Sequence, residues 1–504
     1  MTQSRTKNAM LNTVFSLILQ LAVSVKGLVL LRLIIPAYGS DVNGLIASLA
    51  QFLAFISLLD AGAGAVFRGA LYEPLSRGDM AGVSGMLSAQ KRFYRRIGVI
   101  FGAYVGSLCF VYPLIARTEA DRLYVASLIL ILSLSTFGEY FVSLPYISLI
   151  AADQKIRISH TVNIAYTVAN IAAAVFCVKL ALDIRVLYGI MCVLGLLKPI
   201  FYIGYVKKHY PIDPKAEPDK SCLEQRGDGM VHHLAYWLHT GTDSAILTVF
   251  AGTALVSVYN VYGAVVFGIE KVVSSIATGT QAGLGNLIAS GDRERISLTV
   301  DRFELVQAAA ATVLYTVTAL MLMPFIRLYT SGMTDISYIR PTFGYLMIAA
   351  EVIFCFRSIY STVLAAANMF KQTRRGAVLE CTVNLCVSLV TVALLKKPLT
   401  GVALGTVAGM AVRYLWELGF LADNLLHRPV KKGLGLLGVS LLGAAASVLV
   451  CKSLLDYAQV GSVWEWVCCG AATTLITAAV SAAVYWVFYR QRVKSLLRLL
   501  CGRG

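Results

Sequence analysis

Continuous apolar runs, each long enough to cross a bilayer, follow one another along almost the whole chain. A helix of about 20 apolar residues spans the hydrocarbon core, where only helices and closed barrels satisfy their backbone groups. The runs lack the strict alternation of barrel strands. With 58% hydrophobic and 14% charged residues, the composition excludes an ordinary soluble enzyme, a disordered chain and a disulfide scaffold. The sequence therefore predicts an all-α polytopic membrane protein.

Length and hydropathy predict about fourteen transmembrane helices. We expect two pseudo-symmetric six-helix lobes, an N-lobe over residues 1–206 and a C-lobe over residues 234–430, with two further helices after them. The polar, proline-containing stretch 207–233 is typical of a cytoplasmic linker between the lobes. Residues 431–504 would supply the two extra helices and a basic amphipathic tail from Arg490, which suits a surface of anionic membrane lipids.

Short motifs recur in the same order in both predicted lobes. LSRGD at Leu75–Asp79 matches IASGD at Ile288–Asp292, and AADQK at Ala151 matches AANMFK at Ala366. An even number of predicted spans separates the matching points, so the repeats share one orientation and are related by an axis along the membrane normal. The repeat predicts a cleft between the lobes, with substrate bound at their interface.

Basic residues, which give the chain a formal net charge of +17, cluster in alternate loops. The positive-inside rule places those loops, and with them both termini, in the cytoplasm. This rule accounts for the charge, so we expect no nucleic-acid partner. The loops on the other side are short and leave no room for an extracytoplasmic catalytic domain, so we predict that the chain is not an enzyme.

The eleven cysteines fall mostly inside apolar runs, and neither CxxC nor a Cys/His ligand spacing occurs. Such cysteines are typical of small buried hydrophobic residues. The nucleotide-binding pattern GxxxxGK[ST] is absent from the sequence as well. We therefore predict no metal site, no ATP site and no cofactor.

Basic residues at predicted membrane depth occur in both lobes, namely Lys26, Arg32, Lys271 and Arg357. Ionisable residues are costly in a bilayer and usually have a function there. Lysine and arginine facing a cleft favour an anionic ligand such as a phosphate. Two alternatives remain open: Lys26 could belong to an internal salt bridge, and Arg32 could reach the membrane interface.

Acidic residues at depth suggest a site for a coupling cation. The candidates are Asp60, Asp243 with His239, and Glu270. Asp60 could instead be the partner of Lys26. His239 and Asp243 are four residues apart and share a helix face, which fits either a proton site or a structural pair.

Several other deep charges receive no binding role. Arg413 and Glu417 are four residues apart near a predicted span end, which favours a structural ion pair. We expect Glu380 at the membrane interface. The remaining deep charges are Glu139, Lys198 and Glu351.

Two adjacent segments, SVKGLVLLRLIIPAYGSDVNG and LLDAGAGAVFRGALYEPLSRGD, resemble a known family. It comprises the lipid-linked oligosaccharide flippases, or polysaccharide biosynthesis membrane proteins, of the multidrug/oligosaccharidyl-lipid/polysaccharide (MOP) exporter superfamily. Members carry a basic pair in the first span, matched by Lys26 and Arg32. A turn ending in Asn-Gly follows, matched by Asn43-Gly44. Pro36 stands where glycine is commoner.

The second span of the family carries an acidic-Gly-x-Gly motif. Asp60, Gly62 and Gly64 match it, with aspartate in place of the commoner glutamate. The motifs cover the first two spans. The span count, repeat and central linker extend the resemblance over the whole chain.

The resemblance implies a flippase that moves an undecaprenyl-pyrophosphate-linked oligosaccharide across the bacterial cytoplasmic membrane by alternating access, for cell-surface polysaccharide assembly. Lys26, Arg32 and Lys271, with Arg357 as a weaker candidate, would hold the diphosphate. Asp60 or Asp243 would sense a proton or sodium ion, and no cofactor would be needed. We expect a monomer, and leave open whether polysaccharide-synthesis enzymes bind it.

Two alternatives share the superfamily. A peptidoglycan-precursor flippase would use the same lipid carrier and the same basic pair. A cation-coupled multidrug antiporter would share the fold, but it would prefer twelve spans and an acidic cavity. The deep basic residues therefore favour a lipid-linked anionic substrate over a cationic drug.

Overall fold

The computed structural model describes residues 2–60, 63–219 and 241–500, and all regular elements in these ranges are helical. The chain divides into two compact units, Met1–Val261 and Tyr262–Gly504, called unit 1 and unit 2 below.

The described part of unit 1 contains ten helices and the beginning of an eleventh. The first nine are α1 (Thr2–Tyr38), α2 (Ser40–Leu53), α3 (Ile56–Asp60), α4 (Ala63–Arg77), α5 (Met80–Ile115), α6 (Arg122–Gly138), α7 (Leu144–Ala152), α8 (Arg157–Lys179) and α9 (Ile184–His209). A π-helical turn, Glu139–Ser143, joins α6 to α7. A further helix, α10, covers 241–250 in the described residues.

Unit 2 begins inside α11, which crosses the boundary between the units. Its helices are α11 (Thr253–Ala289), α12 (Arg293–Tyr329), α13 (Pro341–Ala366), α14 (Phe370–Leu395), α15 (Pro398–Leu421), α16 (Lys431–Leu454) and α17 (Val463–Leu500). A second π-helical turn, Ala422–Leu426, follows α15. Contacts of α12 with α16 and α17 attach the two C-terminal helices to this unit.

Twelve helices in the described residues are long and apolar enough to cross a membrane. The prediction of an all-α polytopic membrane protein is therefore confirmed, and the count of fourteen is approximate. The second predicted span, 41–69, is not one helix. After α2, the N–H groups of Phe55 and Ser57 donate to the carbonyls three residues earlier, as in a 3₁₀ turn, and this tightens the chain. The segment then continues as the separate helices α3 and α4. The seventh predicted span, 235–252, begins within 220–240, a stretch that lies outside the described residues.

The repeated LSRGD and IASGD motifs form the same local structure in both units. Gly78 and Gly291 adopt positive φ angles of 70° and 72°, a conformation that glycine adopts without a steric penalty. The aspartates that follow, Asp79 and Asp292, cap α5 and α12 by accepting a hydrogen bond from the backbone N–H three residues on. Each motif thus ends one helix and starts the next.

The second motif pair behaves in the same way. Gln154 in AADQK and Asn368 in AANMFK both adopt positive φ, at 56° and 53°, just after α7 and α13. The repeat is therefore present in the backbone as well as in the sequence. The lobe boundaries at 207–233 stay a prediction, because much of that stretch lies outside the described residues.

Hydrogen bonds hold the segment around α10 against α2 within unit 1. Asn43 donates to Ser257 Oγ at 2.7 Å, and the hydroxyls of Ser48 and Thr248 are 2.6 Å apart. A Cβ on Gly44 would lie 1.7 Å from a backbone oxygen of α11, so the two backbones touch here and only glycine fits. The Asn43-Gly44 motif, expected in a turn, lies in α2 and serves this close approach.

The core of unit 1 follows one face of α5. Tyr94, Phe101 and Tyr112 are fully buried and recur at the spacing of one helix face. A Cβ on Gly98 would overlap the ring of Phe141 in the first π-helical turn. This contact fixes that turn against α5, and with it the acidic residue that begins the turn.

Candidate functional site

Two lysines from different helices approach the ring of Tyr166 on α8. Lys26 Nζ, from α1, lies 5.5 Å from the ring centroid. Lys198 Nζ, from α9, lies 4.6 Å from it. An aromatic face attracts cations at such distances. We call Lys26, Lys198 and Tyr166 the Tyr166 site.

The position of Lys26 depends on how α1 lies against α8. At one end, Arg157 N–H donates to Asn12 Oδ1 at 3.0 Å, and Asn12 donates to a backbone oxygen of the preceding turn. At the other end, Tyr38 donates to Leu182 O at 2.9 Å. The two helices therefore run parallel along their whole length, and Lys26 is held near the middle of its span.

Lys198 has two polar partners besides the ring. Its ammonium donates to Glu139 Oε2 at 3.3 Å and to Asn163 Oδ1 at 3.4 Å. The side chain of Lys198 is 11% exposed, whereas that of Glu139 is 45% exposed. Asn163 is oriented by its own donation to Ser159 O at 2.9 Å. Within the described part of unit 1, Glu139 is the carboxylate paired with the Tyr166 site, which therefore carries an excess of positive charge.

Glu139 is the first residue of the first π-helical turn, and the sequence explains why the helix changes there. Pro145 has no N–H to donate, and its ring would collide with the carbonyl four residues earlier in an α-helix. A wider π turn accommodates such a position. Gly138 brings α6 close to α9, because a Cβ there would lie 2.7 Å from Leu196 Cδ2. This approach places Glu139 beside Lys198.

The other three predicted phosphate ligands are one further residue of α1 and two residues of unit 2. Arg32 is exposed and six residues further along α1, and Lys271 is exposed on α11 in unit 2. Arg357 is buried in α13 of unit 2. Of the four predicted residues, the structure places Lys26 at the Tyr166 site.

Arg357 belongs to a buried network of two cations and two carboxylates. It lies 3.4 Å from Glu380 and 3.8 Å from Glu417. Arg413 lies 2.6 Å from Glu417, which confirms the predicted pair, and 3.9 Å from Glu380. These two arginines hold Glu380 in a buried position, and its expected depth at the membrane interface stays a prediction. The charge of Arg357 is thus already balanced.

The predicted cation-sensing residues that the structure describes are on three different helices. Asp60 ends α3 and accepts a hydrogen bond from Tyr94 at 2.8 Å. Asp243 on α10 is buried and accepts one from Tyr259 at 3.2 Å. Glu270 is half-buried on α11. His239 lies outside the described residues, so its pairing with Asp243 stays a prediction.

Sequence reasoning missed the convergence on Tyr166. Lys198 and Glu139 were visible as deep charges, but nothing in the sequence pairs residues on helices so far apart in the chain. Asn163 and Tyr166 gave one usable signal, since they are three residues apart and so share a face of α8.

Known proteins resemble this chain in fold and not in sequence. No family model matches the sequence, and none of the curated proteins matches it. Among solved structures, the chain is similar to the lipid II flippase MurJ in an inward closed conformation. The TM-score is 0.73 at 16% identity, over 95% of this chain and 100% of that chain.

Transporters of the MATE family are also similar. An inward-facing multidrug resistance MATE transporter of the MOP superfamily gives a TM-score of 0.61 at 13% identity, over 78% of this chain and 94% of that one. A eukaryotic MATE transporter gives 0.58 at 13% identity, over 86% and 98%. The fold expected from the resemblance in the first two spans is thus confirmed, and this chain has the fold that these flippase and transporter structures share.

Proposed function

We propose that this protein is a flippase that carries an undecaprenyl-pyrophosphate-linked oligosaccharide across the bacterial cytoplasmic membrane by alternating access, for assembly of a cell-surface polysaccharide. The observation that carries the proposal is the Tyr166 site. Two lysines lie there near the middle of membrane-spanning helices. One partly exposed carboxylate, that of Glu139, offsets only one of the two positive charges.

The chemistry of such a substrate fits this arrangement. A diphosphate with attached sugars cannot enter hydrocarbon, because the desolvation of its charges is too costly. Fixed ammonium groups offset that cost, and the low dielectric of the site strengthens their attraction. The prenyl tail needs no such help and can remain in the lipid.

The roles of the remaining residues follow from their surroundings. Lys26 and Lys198 would hold the diphosphate, and the exposed Arg32 and Lys271 would contact it elsewhere on its path. Arg357 is the weakest of the predicted ligands, because two glutamates already balance its charge. Asp60 and Asp243 remain the candidates for sensing a coupling cation.

A flipping assay in proteoliposomes tests the proposal. A fluorescent undecaprenyl-pyrophosphate oligosaccharide should cross the bilayer with the wild-type protein, and Lys26→Ala should abolish its movement while expression is unchanged. Lys179→Ala is the matched control, because Lys179 is exposed in the last turn of α8. Wild-type flipping by Lys26→Ala would show that the assignment is wrong.

A peptidoglycan-precursor flippase is the second candidate, and the similarity to MurJ over the full chain favours it. Both substrates carry a diphosphate on the same lipid, so the Tyr166 site would serve either. Offering both lipids in the same assay separates them by relative rate. Efflux of a cationic dye driven by a proton or sodium gradient, without lipid movement, would instead indicate an antiporter.

A further inference from the structure

We infer that Glu139 is an internal counter-ion that occupies Lys198 between transport events and competes with the diphosphate of the substrate for it. The inference rests on the proposed function. It adds a residue that leaves and returns during each cycle, and so sets how tightly substrate is held and how readily it is released.

The exposures of the two side chains favour this exchange. Lys198 is nearly buried, whereas almost half of the Glu139 side chain is exposed. Glu139 can therefore turn toward water at small cost, but Lys198 cannot, and a buried cation that loses its partner requires another anion. A phosphate oxygen would replace the carboxylate oxygen with the same charge and the same acceptor chemistry.

The distance between the charged groups supports the same conclusion. Lys198 Nζ and Glu139 Oε2 are 3.3 Å apart, longer than a tight charged hydrogen bond. In unit 2, the Arg413–Glu417 pair is 2.6 Å apart and both side chains are almost fully buried. The Arg357–Glu380 contact is also long, at 3.4 Å, but both of its side chains are nearly buried. The exposed carboxylate is therefore what makes the Lys198–Glu139 contact exchangeable, and its distance agrees with this.

The Glu139 side chain itself provides a route for the movement. The residue begins the π-helical turn Glu139–Ser143, whose backbone is held by Pro145 and by the contact of Phe141 with Gly98. The carboxylate can therefore move by rotation about its own side-chain bonds, while the turn stays in place. Such a rotation would carry the carboxylate away from Lys198 while Asn163 keeps its contact with the ammonium.

The cycle then has a definite order. An arriving diphosphate displaces Glu139 from Lys198, and Glu139 returns when the substrate leaves on the other side. Removing the carboxylate charge should therefore tighten binding and slow release. A purely structural glutamate would give a different result, since its loss would weaken binding and transport together.

The experiment uses the purified full chain and two readouts. Inorganic pyrophosphate is titrated into wild type and Glu139→Gln by calorimetry. We expect about two- to five-fold tighter binding to the variant, the effect of removing a partly exposed competing ion pair. In proteoliposomes, the maximal rate of lipid flipping by Glu139→Gln should fall while the lipid concentration for half-maximal rate also falls.

Two further variants serve as controls. Glu139→Asp keeps the carboxylate and should restore both the wild-type affinity and the wild-type rate. Glu73→Gln removes a carboxylate from an exposed pair with Arg77 on α4 and should change neither.

Unchanged or weaker pyrophosphate binding by Glu139→Gln would overturn the inference. If Lys198→Ala then still weakens binding, the proposed function stands without it. If the wild-type protein binds no pyrophosphate and flips no lipid, the proposed function and the inference fail together.

Discussion

Charged residues of the two units are arranged in contrasting ways. In unit 1, Lys26 and Lys198 lie against one tyrosine ring, and Glu139 is paired with Lys198. That carboxylate is the more exposed member of its pair. The site has spare positive charge and a partner that can leave.

In unit 2, two clusters match buried cations with carboxylates. Arg357 and Arg413 share Glu380 and Glu417, and all four side chains are nearly buried. A second cluster of the same kind joins Arg428 and Lys432 to Asp301 and Glu304.

Depth in the membrane therefore does not identify a binding residue by itself. A buried cation with its own carboxylates has no charge left for a ligand, and its role is to hold helices together. A cation whose single carboxylate partner is half-exposed can still bind an anionic ligand. This difference separates Lys26 and Lys198 from Arg357, which depth alone had placed in one group with Lys26.

Removing a carboxylate from the buried network should give the largest effect on stability. Glu417 is 1% exposed, contacts both arginines and accepts a hydrogen bond from Ser361 at 2.7 Å. Glu417→Gln should lower the free energy of unfolding by about 3–5 kcal/mol, because it leaves buried positive charge uncompensated. Denaturant unfolding in detergent measures this. A loss as small as that of the exposed Glu73→Gln variant would remove the contrast between the units.

Removing a cation from the Tyr166 site should affect ligand binding more than stability. Lys198→Ala leaves Glu139 free to hydrate, so the free energy of unfolding should change by no more than about 1 kcal/mol. Pyrophosphate affinity should fall about tenfold, the effect of losing one hydrogen bond between charged groups. Calorimetry and denaturant unfolding of the same preparation give both values. A large loss of stability with unchanged affinity would place Lys198 with the structural charges.

An exposed pair at the N-terminus of α9 should give the smallest effect. Asp183 accepts hydrogen bonds from the Arg185 side chain at 2.9 and 3.0 Å, and these hold the pKa of its carboxyl below the ordinary value. A lowered folded-state pKa stabilises the fold above the unfolded pKa, and that contribution disappears as the pH falls through the folded value. Asp183→Asn should shift the unfolding midpoint only slightly at pH 7, and the difference should shrink as the pH falls from about 4 through the lowered folded-state pKa of Asp183. A midpoint difference that persists in acid would contradict this origin.

Local features of the fold could be predicted from the sequence because short segments determine them. Apolar runs predicted the helices. The glycine–aspartate motifs lie at the turns before α5 and α12, where a positive φ and a helix cap each depend on a single residue. The break in the second predicted span was missed. At the break, the backbone N–H groups of Phe55 and Ser57 bond to the residue three positions earlier, and the apolar sequence around Phe55 contains neither glycine nor proline to indicate it.

The site was only partly predictable, because its members come from three helices and a π turn. Lys26 was identified by its depth in the first span. The contact among Lys198, Tyr166 and Glu139 forms only when α1, α8 and α9 pack together. These residues are far apart in the sequence, so their spacing does not predict the contact. The ion pairs of Glu380 could not be predicted for the same reason, since its partners Arg357 and Arg413 lie on other helices.

The most direct test of the central claim is a titration of inorganic pyrophosphate into the purified protein and into a Lys26→Ala/Lys198→Ala double variant. If the Tyr166 site holds the diphosphate, the double variant should bind about 100-fold more weakly, since two charged hydrogen bonds are lost. Its unfolding midpoint should stay close to that of the wild type. Equal affinity of the two proteins for pyrophosphate would contradict the account and place the anion site away from Tyr166.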